Sequence, residues 1–142
     1  MMLNKLFGLG RERPEPIPAP VLERILREAA RKLPDLRWAV IITTNDLVQE
    51  MYDPFGKTDR ESAAAMTSAA LSLGERISGE LGHGQLTCSV TAGEGGVFIV
   101  QPLGEGYASS VSLPAEAEIG AAIGALWQAA SSVLSAHDPG MG

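Results

Sequence analysis

Between Val21 and Leu33 the apolar residues Val21, Leu22, Ile25, Leu26, Ala29, Ala30 and Leu33 return every three or four positions, and Glu23, Arg24, Arg27, Glu28, Arg31 and Lys32 fill the other face. That spacing predicts a surface helix, begun at Pro20 and ended by Pro34. The period then shortens. Trp38 to Thr44 is an apolar run rich in β-branched residues, and Leu47 to Tyr52 follows after Asn45-Asp46, a pair that tolerates the positive φ of a tight turn. Two antiparallel strands are expected. Asp53-Pro54-Phe55-Gly56 breaks the sheet, and Thr58 with Glu61 has the spacing of a capping box.

A second helix is predicted over about 59–81, and it carries two stripes. Met66, Ala70, Leu73, Ile77 and Leu81 form a large apolar stripe able to cover a sheet. Ala63, Thr67, Gly74 and Ser78, with Leu71 among them, form a small one. Glycine costs roughly 1 kcal/mol relative to alanine inside a helix, so Gly74 and Gly79 suggest another backbone passing close by. Small residues that simply fit the chain's own sheet are the alternative.

Gln85 to Ala92 alternates, with Leu86, Cys88, Val90 and Ala92 on one face and Gln85, Thr87, Ser89 and Thr91 on the other. Turns at Glu94-Gly95-Gly96 and Gly104-Glu105-Gly106 lead into strands over 97–101 and 107–113, completing a three-stranded meander. Pro114 opens a last helix, with Glu116 and Glu118 near its positive end and Ile119, Ile123, Leu126, Trp127, Ala130, Val133 and Leu134 as its buried stripe. The order α-β-β-α-β-β-β-α defines an α/β chain of the α+β sandwich kind.

At 142 residues the chain has the size of one domain. Residues 1–19 are expected to be a flexible N-terminal peptide and proline-rich linker (RERPEPIPAP), residues 20–136 the domain and residues 137–142 a mobile tail. Leu3, Leu6, Phe7 and Leu9 give the peptide the character of a docking or membrane-surface motif, or of a frayed terminus. No apolar run approaches the roughly 20 residues of a membrane span, and no signal peptide is recognisable, so a cytoplasmic location is the default expectation. The single cysteine, Cys88, suits a reducing compartment. Residues 1–34 hold seven Lys/Arg against four Asp/Glu, whereas residues 35–142 hold four against thirteen. An acidic body of this kind repels nucleic acid.

The chemistry is mostly one of absences. Neither GxxxxGK[ST] nor GxGxxG occurs, the glycines at 93, 95 and 96 reading as hairpin residues. His83 follows Leu81-Gly82 at a helix C-terminus, where a capping role is expected, and the sequence supplies no partners that would make it a metal ligand. Cys88 faces inward by its strand's alternation and has no basic neighbour to activate it. No catalytic residue, cofactor or metal is expected.

The element order, the segment AAAMTSAALSLGERISGELGHGQL, the alternating strand after it and the Gly-rich hairpin before Val97-Phe98-Ile99-Val100 resemble the roadblock/LC7 family over about residues 20–136. Asn45-Asp46-Leu47 departs from the Asp-Gly turn often seen there. The resemblance implies a five-stranded antiparallel sheet with the second helix on one face and the other two helices on the opposite face. It also implies a homodimer built through the second helix and third strand, working as a non-enzymatic scaffold or regulator of a small Ras-like GTPase. The polar face and free edge of residues 85–92 point to the same homodimer. Its expected interface comprises Ala63, Thr67, Leu71, Gly74, Ser78, Thr87 and Ser89. The charges Asp59, Arg60, Glu61, Glu75 and Arg76 on the exposed side of the second helix are the expected contacts for the GTPase. A structural subunit of a motility or signalling assembly, with no GTPase partner, is the alternative; a ligand sensor of profilin-like shape is disfavoured, since no polar-lined pocket pattern stands out.

Overall fold

The computed structural model describes residues 16–43, 45, 47–104 and 106–137; residues 1–15 of the expected N-terminal peptide and linker and 138–142 of the expected tail lie outside that range, while Ala19 and His137, placed in the linker and the tail by the sequence, belong to the first and last helices. The elements follow in the expected order: α1 (Ala19–Lys32), β1 (Trp38–Thr43), β2 (Val48–Tyr52), α2 (Arg60–Glu80), β3 (Ser89–Gly93), β4 (Gly96–Gly104), β5 (Tyr107–Leu113) and α3 (Ile119–His137). The five strands form one antiparallel sheet in the order β2-β1-β5-β4-β3. Ala39, Val40, Ile41 and Ile42 of β1 are fully buried, as an interior strand covered on both faces requires.

Alternation along the strands divides the interior into two clusters. On one face Ala39, Ile41, Ile99, Val111 and Leu113 meet Leu22, Ile25 and Leu26 of α1 and Leu126, Ala129 and Val133 of α3. On the other Val40, Ile42, Val100 and Ala108 meet Ala63, Ala64 and Leu71 of α2. Trp38 and Phe98 flank this second cluster with ring centroids 5.8 Å apart.

Four local expectations are corrected. The cap of α2 is Asp59, which accepts from Ser62 N at 2.9 Å, while Thr58 N is held by Asp53 Oδ2 at 3.0 Å. Asp carries a full charge at the positive helix end, and this favours it over the neighbouring threonine. The helix ends in a Schellman turn: Gly82 has φ 71°, its N–H reaches Gly79 O, and His83 N reaches Ser78 O at 2.8 Å. His83 therefore caps with its backbone and leaves its imidazole exposed.

The ladder of β3 starts only at Ser89, opposite Val100, because two steps back Thr87 would face Pro102, which has no N–H to donate. Cys88 thus precedes the strand and is half-buried. Finally, Trp127 projects from α3 with 57% of its surface exposed, rather than joining the buried stripe. The helix bears no charged residue between Glu118 and His137, and with mean hydropathy 1.3 over 18 of its residues it is long and apolar enough to cross a membrane. Here it lies on the sheet as a core helix through Ala122, Leu126, Ala129, Ala130 and Val133.

Candidate interaction surface

The two stripes of α2 exchange the roles expected of them. Ala63 and Thr67 have no accessible surface and Leu71 is buried, all turned onto the chain's own sheet. Met66, Leu73, Ile77 and Leu81 stand 47–62% exposed. The cause is the surface beneath α2. Thr67 Oγ1 donates to the Ala63 carbonyl at 2.7 Å and lies 2.7 Å from Ser110 Oγ in the central strand, so the serine hydroxyl donates to it. A small polar side chain on the helix satisfies a buried polar one on the sheet, and the backbones approach closely. Leucine or isoleucine at position 67 would leave Ser110 without a partner.

Ala63, Thr67 and Leu71 therefore lie inside the protomer, not on a surface that a second copy can touch. Gly74 serves the same intramolecular fit: a Cβ placed there would sit 3.0 Å from Leu86 Cδ2 and 3.5 Å from Ser89 Cβ. The remaining residues of the expected interface do gather. Gly74, Ser78, Thr87 and Ser89, with Ile77 and Cys88, border an open groove of about 410 Å³ between the C-terminal half of α2 and the segment entering β3. Ser78 Oγ fixes the far wall by donating to Gly84 O at 2.7 Å.

Beside this groove the sheet has a bare edge. Among the described residues β3 pairs with β4 alone, and every residue from Val90 to Gly93 is exposed. Because Gly74 meets Leu86 and Ser89, the 3.6-residue repeat puts Met66, Leu73 and Ile77 on the β3 side of the helix. An apolar helix flank and an unpaired strand edge thus form one continuous surface. Sequence reading missed the flank as a surface, though α2 offered a signal: it has two apolar stripes and one sheet to cover.

The five charged candidates are all exposed but do not form one cluster. Asp59, Arg60 and Glu61 stand at the N-terminus of α2, and Glu75 and Arg76 about 24 Å away at 1.5 Å per residue. Arg76 lies 3.6 Å from Glu80. Asp59 is held below its ordinary pKa, first by the Ser62 N–H and then by the Ser62 hydroxyl. Among the described residues no group of three or more His, Cys, Asp or Glu is placed to hold a metal ion.

A five-stranded antiparallel sheet between one helix and two is the architecture of a class of small regulatory and scaffolding domains. The Roadblock/LC7 domain model matches residues 24–112, and the chain belongs to this family. Solved structures of similar fold include a Roadblock/LC7 domain from Streptomyces avermitilis, with TM-score 0.67, 21% identity and coverage of 79% of this chain and 93% of that one. The gliding protein MglB from Thermus thermophilus superposes with TM-score 0.70 at 16% identity over 87% of this chain and 93% of its own. Myxococcus xanthus MglB does so with TM-score 0.74 at 9% identity over 88% and 93%. No curated protein sequence matches the chain.

Proposed function

We propose that the protein is a non-enzymatic homodimeric scaffold or regulator that binds a small Ras-like GTPase. The observation that carries this reading is the apolar flank of α2 lying next to the bare edge of β3: four large side chains left 47–62% exposed beside an unpaired strand make half of an interface. A second copy related by a twofold axis completes it. The β3 edges pair antiparallel into a ten-stranded sheet, and Met66, Leu73 and Ile77 interleave with their counterparts. Ser78, Thr87 and Ser89 line the seam at the groove; Gly74 lies beneath Ile77. An antiparallel helix pair also answers the separation of the charges, since Arg60 of one copy then stands near Arg76 of the other, and the two ends become one charged rim for the GTPase. A resemblance of family supports the choice of GTPase; MglB itself is described in a tetrameric arrangement.

Sedimentation at micromolar concentration is expected to give about twice 14.9 kDa. Leu73→Glu with Ile77→Glu is expected to yield a folded monomer, whereas Arg31→Ala leaves the dimer intact. A folded double variant that remains dimeric refutes the interface. Binding of a Ras-like GTPase in each nucleotide state is then measured by interferometry. Arg60→Glu with Arg76→Glu is expected to slow association and flatten its salt dependence while the dimer persists. Unchanged binding moves the GTPase site elsewhere.

A further inference from the structure

A groove of about 670 Å³ opens on the face of the sheet covered by α1 and α3, opposite α2, where the loop after α1, the end of β5 and the start of α3 meet. Its size falls within the range of about 300–1,000 Å³ usual for ligand sites. Leu33, Leu36, Leu113 and Ala121 give it apolar walls. Phe55 closes one side with 67% of its surface exposed, the highest value for a large apolar side chain among the described residues. A closed turn holds the ring out: Gly56 N donates to Asp53 O at 3.1 Å, and Thr58 N to Asp53 Oδ2 at 3.0 Å. The charges of the lining are unequal, with Asp35, Glu116 and Glu118 against Arg37. Arg37 is drawn toward the β3–β4 turn, where its Nη1 donates to Gly95 O at 2.8 Å. Glu118 Oε1 accepts from Ala121 N at 3.2 Å, so the anion that the start of α3 favours is already in place. Asp35 and Glu116 stand exposed, and the ion pairs formed among the described residues lie elsewhere, on α1 and α2.

We propose that this groove binds a segment of a partner protein through an arginine side chain flanked by apolar residues. Walls and rim fit the two parts of that side chain. Its apolar stem lies along the leucines, and its guanidinium stacks on the Phe55 ring while it forks to the carboxylate of Asp35 or Glu116. Lysine brings the charge but neither the plane nor the fork. Charge disfavours the other occupants: a second copy carries a net −6, and nucleic acid or an anionic lipid surface meets the same carboxylates. The groove shares no residue with the flank of α2, so a partner here does not compete with one bound there.

The probe is a pool of synthetic heptapeptides, each with a central arginine between leucine, valine or isoleucine residues, titrated into the isotope-labelled full chain and followed by heteronuclear NMR. Amide shifts are expected at 33–37, 54–57 and 113–122. Replacing the arginine by citrulline, a neutral side chain of the same shape, is expected to weaken binding about tenfold or more, and lysine about threefold. Asp35→Asn with Glu116→Gln should reproduce the citrulline loss, whereas Glu23→Gln with Glu80→Gln, which removes as much charge from exposed positions outside the groove, should not. Phe55→Leu, apolar but without the ring, is expected to weaken binding about threefold with the fold unchanged by circular dichroism. Equal binding of the arginine and citrulline pools overturns the proposal, because the rim then has no part in it. Shifts confined to other surfaces, or none at millimolar peptide, overturn it as well. Shifts of the groove amides on dilution of the free protein, or on Arg11→Ser with Arg13→Ser, also refute it, since copies of the chain itself then fill the groove.

Discussion

The hydroxyl pair that seats α2 on the sheet can be tested by a double-mutant cycle. Thr67→Val keeps the shape of a side chain with no accessible surface but removes the acceptor that the Ser110 hydroxyl, itself 1% exposed, has among the described residues. A buried hydroxyl left unpaired costs about 1–3 kcal/mol. Ser110→Ala is milder: Thr67 still donates to the Ala63 carbonyl, so only one net hydrogen bond is lost, about 1 kcal/mol. With both hydroxyls gone nothing remains unsatisfied, and the double variant is expected to cost less than the sum by about 1–2 kcal/mol. Urea unfolding followed by far-UV circular dichroism measures all four proteins, at one fixed concentration because association would shift the midpoints. In thermal scans each kcal/mol is worth about 2–4 °C for a chain of this size. Additivity within about 0.3 kcal/mol would refute the reasoning, because it would mean that the two groups do not sense each other in the folded state.

Gly96→Ala is expected to be destabilising by about 1–3 kcal/mol in the same assay, since the new Cβ would lie 2.9 Å from the Leu113 carbonyl oxygen and 3.0 Å from Arg37 Nη1. Gly95→Ala, with nothing within 4 Å, is the control expected to show little change. Asp59 gives a pH prediction: its pKa is lowered in the folded state, so its contribution is complete above the ordinary value of about 4 and is lost as pH falls through the lower folded value. The difference in urea midpoint between wild type and Asp59→Ala should accordingly vanish in acid, while Asp59→Asn, still able to cap, should show no such dependence. The purified protein is expected to give no saturable GTP-binding isotherm, because the sequence has no phosphate-cradling loop with its lysine.

Much of the fold was legible because its signals are local. The 3.6-residue repeat of 21–33, the β-branched run at 38–43 and the glycines between β3, β4 and β5 each specify an element without help from distant residues. The misreadings arose where a distant residue decides. Nothing near Thr87 in sequence says that Pro102 lies across from it and stops the ladder. Nothing near Thr67 says that a serine in the central strand needs its hydroxyl, so the larger apolar stripe of α2 read as the inward one. Helical periodicity ranks the faces of a helix by how apolar they are, and in a chain with an unpartnered flank the most apolar face is not the one turned inward. The same reasoning applies to Trp127, whose helical position fits the buried stripe while its indole stands in the open.

The two faces of the sheet are filled unequally: α1 and α3 bring leucines, isoleucines and valines, whereas α2 rests on Ala63, Ala64, Thr67 and Leu71. A helix held by so thin a layer opens at a lower free energy than the strands below it, and its local stability responds to whatever covers its outer flank. A cover at about a hundredfold excess over its Kd adds about 2.7 kcal/mol, comparable to a large fraction of what such a layer supplies by itself. The amides of 60–80 should then exchange hydrogen faster in dilute solution than in concentrated solution, while those of β1 and β5 exchange alike in both. Under the proposed pairing of copies, α2 would register how much of the protein is present: when copies are scarce it is expected to open to proteases before the sheet does, and the proposed partner surface would be lost with it.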